Sequence, residues 1–411
     1  MKKVLVIVFA GMLCAGIPVF AGNGLERACP ESMGMDGGKL AKIDSVMNRA
    51  VADREFPGGV VAVVRADRIV YLKAFGYKAL VPVKEVMTED AIFDMASLSK
   101  CVGTTLSVMQ LVEQGLVRLG DEARRYIPEF KPWTDPENPE TEVHITIRDL
   151  LTHTSGLDAY IDVSDYMKNH PRSTPDSLML FIATKAGRGF RPGTDTRYSC
   201  LNFITLQNIL QRVTGQRLCD YAQANVFDRL GLQSTRYFPA GTVIDAGTLA
   251  RIVPTEVQEN GKPYRGEVHD PIANKLNLGN SGNAGVFSCA EDLAVVAAAM
   301  MNGGECNGRR VLSPLTVERM LTVPVGYPPE VERVLGWDHS VYAGARGDLF
   351  PDATTFNHTG YTGTSMSFDT RTRTAVIILT NRVHPRDVGS LTRTRTLVNN
   401  IVAASVIREE L

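Results

Sequence analysis

Between Asp36 and Val51 the apolar residues Leu40, Ile43, Val46, Met47, Ala50 and Val51 recur at the three-to-four spacing of one helix face. Asp36 stands where a side chain accepts the first unpaired amides, so the pattern predicts a helix capped there. The period then collapses to a continuous β-branched run, Gly58 to Val64. The polar piece Arg65-Ala66-Asp67-Arg68 follows, and residues 69–75 are apolar again. Two such runs read as a hairpin of buried strands. From Val102 to about Gly282 strand-like runs nearly vanish. Helical spacing appears at 104–113, 147–151, 175–184, 201–214 and 221–230, separated by Pro/Gly/Asp-rich connections such as 131–139 and 188–195. Strands return at 364–369 and 374–380, joined by Thr370-Arg371-Thr372-Arg373, and a helix is predicted over 386–407. The simplest arrangement is an α/β fold: one antiparallel sheet pairing the first and last strands, covered by helices on both faces. It is split by a mostly helical insertion. Residues 36–101 and 285–411 would form the sheet region and 102–284 the helical region of one catalytic unit. A ligand cleft is expected where the two meet.

The N-terminus departs from this scheme. Lys2 and Lys3 precede an apolar run from Val4 to Phe20, and Val19-Phe20-Ala21 places small residues where a signal peptidase reads them. Residues 1–21 are therefore expected to be a cleaved signal peptide and the remainder, 22–411, to be exported, periplasmic or secreted. An uncleaved anchor fits less well, because Gly11, Gly16 and Pro18 interrupt a short run. No other segment is long and apolar enough to span a membrane. Of 411 residues, 44% are hydrophobic, enough for a large core, and the formal net charge of −1 offers no basic stripe for nucleic acid. Beyond Cys14, the six cysteines are scattered without a C-x-x-C pair, so zinc is not indicated and the residues read mainly as small buried hydrophobes. Disulfide pairing and oligomeric state stay open.

Chemistry concentrates in three places. Ser97 and Lys100, in Met95-Ala96-Ser97-Leu98-Ser99-Lys100, lie three apart at the start of a predicted helix, so they share a face. Serine needs a base to become a nucleophile, and a neighbouring amine can serve. Tyr198 follows the turn Arg191-Pro192-Gly193 just ahead of a helix, where its hydroxyl can enter a cleft and exchange a proton with an ammonium. His358-Thr359-Gly360-Tyr361-Thr362-Gly363 is placed directly before a strand, with glycines that allow close backbone approach. Each has a plain structural alternative: a helix start, a packing tyrosine, a hairpin turn. His153 is a candidate triad base but reads more readily as structural, since a Ser–Lys pair needs no histidine. No G-x-S-x-G elbow, P-loop or H-E-x-x-H occurs.

In their order, these three motifs resemble those of the serine β-lactamase and penicillin-binding protein superfamily. The branch is that of class C β-lactamases, D-alanyl-D-alanine carboxypeptidases and related esterases. The segments 150–157 (LLTHTSGL), 282–288 (GNAGVFS) and Gly336-Trp337 are similar to further signatures of the family. The resemblance implies an exported serine hydrolase acylated on Ser97, with Lys100 and Tyr198 as general base and acid and no metal or organic cofactor. It implies backbone amides of Ser97 and Tyr361 as the oxyanion hole. His358, Thr359 and Gly360 would meet a substrate carboxylate, and Tyr160 and Cys200 would line the cleft. The expected substrate is a carboxylic ester or peptide-like amide, with a penicillin-binding D-alanyl-D-alanine carboxypeptidase on cell-wall peptides and a non-catalytic β-lactam- or peptide-binding or sensory module as alternatives. Two positions depart from the family pattern: Cys200 replaces the asparagine of Tyr-x-Asn, and His358 replaces a lysine. A thiol is a poor substitute for an amide, and both departures point away from efficient β-lactam hydrolysis.

Overall fold

Both predicted hairpins form and join in one sheet. The computed structural model describes residues 24–328, 330–340 and 345–408, so the expected leader lies outside the described residues. Its principal strands are β1 (Glu26–Arg27), β2 (Gly58–Arg65), β3 (Arg68–Ala79), β4 (Glu85–Val86), β5 (Thr355–Thr359), β6 (Thr364–Asp369) and β7 (Thr374–Thr380). Their spatial order is β1-β3-β2-β7-β6-β5, with β4 added to β3. The central pair sets Ala62 opposite Ile377 and Val61 opposite Ile378. One expectation is corrected here: β1 runs parallel to β3, so the sheet is not wholly antiparallel. That two-residue strand is polar and exposed, and it carries no hydrophobic pattern to announce it.

The two faces of the sheet separate along the alternation of β-strand side chains. Val61, Val63, Val376 and Ile378 pack with Leu40, Ile43, Met47, Val398 and Val402 from α1 (Gly37–Leu40), α2 (Lys42–Ala52) and the C-terminal helix Thr392–Ser405. Asp36 caps α1 as predicted, accepting the Lys39 amide at 3.0 Å. Val60, Ala62, Ile377 and Leu379 face the other way, into a larger core shared with the helical region. The helices used below from that region are α3 (Leu106–Glu113), α4 (Ile147–Leu151), α5 (Pro175–Thr184), α6 (Cys200–Thr214) and α7 (Ala290–Met301); the C-terminal helix is α8. A three-stranded ladder, Phe93–Asp94 with Val286–Ser288 and Arg236–Tyr237, ties the two regions together beside the future site.

Two further expectations are revised. α8 begins at Thr392 instead of 386, because Gly389 takes φ +89° and Ser390 receives the Thr392 amide. The freed segment 386–391 becomes cleft wall. His358 and Thr359 belong to the edge strand β5, with His358 opposite Met366, and only the residues after them form the turn. Among the described residues the six cysteines are free, five buried and Cys29 exposed.

Arg65, fully buried at the end of β2, binds the two ends of the described chain to the sheet. Its Nε donates to the Met33 carbonyl (3.3 Å), Nη1 to Thr374 Oγ1 (3.2 Å) and Nη2 to the Arg408 carbonyl. Replacing it removes the donor from the part-buried carbonyls of Met33 and Arg408 and from Thr374 Oγ1. Arg65→Met is expected to destabilise the protein by about 2–4 kcal/mol, read as a lowered urea midpoint at unchanged m-value.

Candidate active site

Ser97 sits on a turn that is pinned from three sides. The Met95 amide donates to the Val286 carbonyl (2.9 Å), and Thr362 and Thr364 donate their hydroxyls to the carbonyls of Asp94 (2.8 Å) and Met95 (3.0 Å). Ala96 is forced to φ +45°, a strained value for alanine, and the buried Asp94 carboxylate holds it by accepting its amide at 2.8 Å. The helix then opens directly at Ser97. Its first part, Lys100–Thr105, is a widened turn that continues into α3.

That winding brings Lys100 Nζ to 3.1 Å from Ser97 Oγ and 2.8 Å from the Asn283 carbonyl. Lys100 is completely buried, with the Tyr198 ring centroid 4.9 Å and the Phe203 centroid 5.9 Å from its Nζ. Burial alone lowers its pKa. The neighbouring Cys200 and Tyr198 and the Asp270 carboxylate more than offset this, so the amine is held above its ordinary value and carries a proton at neutral pH. Tyr198 is also held above the ordinary phenol value, by burial, against the pull of Lys100. Its hydroxyl is shielded from solvent and faces Lys100 and Ser97, both of which oppose the effect of burial on it.

Tyr198 is placed by His153. The imidazole follows α4 at φ +60°, and its Nδ1 accepts the Ser199 amide (3.0 Å) while its carbonyl accepts the Arg197 amide (2.9 Å). The His153 and Tyr198 rings lie 4.5 Å apart. Burial, Arg333 and Lys100 all keep His153 neutral. It is thus a clamp on the tyrosine. Asn202 faces the same clamp and accepts the Ser155 hydroxyl at 2.5 Å, away from the cleft. Cys200 lines the cleft at the start of α6, and burial holds its thiol protonated.

The opposite wall is β5 and the turn after it. Gly360 is required there, since a Cβ would stand 2.5 Å from the Met95 carbonyl. The amides of Ser97 and Tyr361 donate to no acceptor among the described residues, although both are near the cleft. His358 does not supply the charge expected of this position. Its Nδ1 donates to the Thr359 carbonyl at 2.8 Å, and burial, reinforced by Arg333 and Lys100, pushes its pKa down to about 3. The positive charge comes from elsewhere. Arg333, Arg382 and Arg395 line a cavity of about 490 Å³ together with Ser97, Tyr198 and Thr359. Arg395, on α8, donates Nη2 to the Thr364 carbonyl (2.9 Å). Its Nε has no partner and it makes no ion pair among the described residues. Burial and Arg382 push its pKa down to about 10, so it stays charged. A second cavity of about 480 Å³ opens on the other side of Ser97 and is lined by Tyr160 and Cys200, where the sequence placed them.

Sequence reasoning missed Asp94, Asn283 and the arginines. Asn283 falls in the 282–288 signature, but its part here is its carbonyl, which residue type cannot announce. Arg395 sits in Thr392-Arg393-Thr394-Arg395, which reads as a solvated helix face.

A helix-borne Ser–Lys pair under a tyrosine, set between a helix-covered sheet and a helical region, is the arrangement of a serine hydrolase of the β-lactamase type. The chain belongs to the Beta-lactamase family, whose model matches residues 43–400. Over 404 residues it is 27% identical to a Salmonella agona protein named "Putative D-alanyl-D-alanine carboxypeptidase", covering 93% of this chain and 91% of the relative. Among solved structures it is similar to EstCE1, a hydrolase with promiscuous acyltransferase activity (TM-score 0.70, 23% identity, 89% of this chain and 99% of that one). It is also similar to simvastatin synthase (LovD) from Aspergillus terreus (TM-score 0.66, 19% identity, 89% and 98%). At these identities the structural likenesses speak for the fold.

The buried neutral His358 predicts an acid sensitivity. An unfolded histidine binds a proton near pH 6.5, while the folded one resists it until about 3, so stability falls as pH drops below 6.5. At pH 5 the loss from this residue is about 2 kcal/mol. His358→Gln should reduce the stability difference between pH 7 and pH 5 by about that amount in urea titrations.

Proposed function

We propose that the protein is an exported hydrolase that forms an acyl-enzyme on Ser97 from a carboxylic ester or a peptide-like amide. The observation that carries this is Lys100 Nζ at 3.1 Å from Ser97 Oγ, with the shielded Tyr198 hydroxyl facing both. Ser97 Oγ attacks the substrate carbonyl, and its proton passes to the Lys100–Tyr198 pair. The amides of Ser97 and Tyr361 receive the oxyanion. The bond to the leaving group breaks, and the pair returns the proton to that group. Water then adds to the ester, gives its proton to the pair, and releases the acid as Ser97 Oγ is reprotonated.

Because Lys100 carries a proton and Tyr198 is a phenol at neutral pH, the pair accepts the serine proton only after losing one of its own. Acylation should therefore quicken with pH. For a neutral p-nitrophenyl ester, kcat/KM is expected to rise steadily from pH 7 to 10, whereas a plateau reached by pH 7 would point to a histidine base. Tyr198→Phe should lower kcat/KM by about 10²–10⁴-fold. Intact mass after a fluorophosphonate should show one adduct, absent in Ser97→Ala. An adduct with penicillin that never clears would favour a sensor over a hydrolase.

A carboxypeptidase reading is favoured by a specific feature, the charged and unpaired Arg395 in the cavity beside Ser97. Such a guanidinium suits a substrate carboxylate on the leaving side. Arg395→Gln should raise KM about tenfold for a D-Ala-D-Ala peptide with a free carboxylate, and leave the KM of its C-terminal amide little changed.

A further inference from the structure

The two halves of the cleft carry opposite charge. Arg333, Arg382 and Arg395 line one half, where Asp338 pairs with Arg333 at 3.1 Å. The 480 Å³ half is lined by Glu256, Asp270 and Asp387, with no lysine or arginine in its walls. These three carboxylates are not equivalent. Asp387 is committed to Arg382 Nη1 (2.6 Å) and to the Tyr361 hydroxyl. Glu256 lies 3.3 Å from His269 Nε2. Asp270 accepts the Ala273 amide (2.8 Å) and Asn283 Nδ2 (3.1 Å) on one oxygen only, and its other oxygen accepts nothing among the described residues. It makes no ion pair among them either.

These two bonds anchor Asp270 at a defined place. Asn283 is the residue whose carbonyl holds Lys100, so the carboxylate and the amine beside the nucleophile are fixed by one residue. Tyr160, Tyr198 and Tyr361 line the same pocket. An anchored carboxylate with a free oxygen among aromatic faces is a receptor for an ammonium. Peptide direction assigns the sides. If a C-terminal carboxylate lies in the arginine half, the amine-bearing part of the substrate is on the acyl side and enters this half.

We propose that the acyl part of the substrate carries a primary ammonium, received in this pocket by Asp270. The substrate is then zwitterionic across the scissile bond. This rests on the serine hydrolase reading above and goes further by naming the acyl group's charge.

Three p-nitrophenyl esters of matched length test it: 6-aminohexanoate, hexanoate and the adipate monoester, which differ only in terminal charge. The wild type should prefer the ammonium ester to the neutral one by about tenfold or more in kcat/KM at low salt, with the carboxylate ester slowest. The preference should shrink as NaCl is raised to 0.5 M. Asp270→Asn should bring the ratio of ammonium to neutral ester close to one. Turnover of all three with no ammonium preference overturns this inference and leaves the serine hydrolase reading standing. An undiminished ratio in Asp270→Asn also overturns it. No turnover and no fluorophosphonate adduct on Ser97 would remove the underlying reading as well. The wild-type series decides even if the variant fails to fold.

Discussion

Lys100 is a charged amine at zero exposure with no carboxylate bonded to it, and the architecture of the cleft follows from keeping it there. Removing an ammonium from water costs several kcal/mol unless the protein replaces the lost contacts. Here the replacements are the Asn283 carbonyl, the Ser97 hydroxyl, the faces of Tyr198 and Phe203, and the nearby field of Asp270. They come from the widened helical turn, α6 and the 270–284 loop. Each of these segments must dock before the charge is compensated. The site is therefore built by long-range packing around one cation, and the fully buried histidine that clamps Tyr198 must stay uncharged beside it.

The same constraint explains why charge is distributed as it is around Ser97. Burial makes a charged His358 unfavourable, and Arg333 and Lys100 reinforce the effect, so this strand position beside the tyrosine is neutral. Positive charge lies further out, on arginines of α8 and the flanking loops, while the opposite half of the cleft is lined by carboxylates. Cys200 fits the same picture: where the family pattern carries an amide, this chain has a buried neutral thiol that fills space and donates weakly.

Strong local patterns were legible. The hairpin 364–380 and the strands around 58–75 matched because β-branched runs buried on both faces admit few other states. The Asp36 cap was legible because a carboxylate at that position meets an amide three residues on. What failed was governed by partners distant in sequence. β1 exists only because β3 offers an edge. His358 joins β5 because Met366 pairs with it. α8 starts late because Gly389 turns the chain at φ +89°.

Ser97, Lys100 and Tyr198 were visible in the order of motifs, and helical periodicity was enough to put the first two on one face, since that relation depends only on the local rise of a helix. The order of motifs and the two strand-rich ends likewise determined the family and the layered fold. The protonation state of the amine, the silence of His358, the carbonyl of Asn283, the unpaired Arg395 and the free oxygen of Asp270 were decided by tertiary structure alone. Each depends on which groups are brought within a few ångströms through space in a low-dielectric interior, and residue order does not carry that distance.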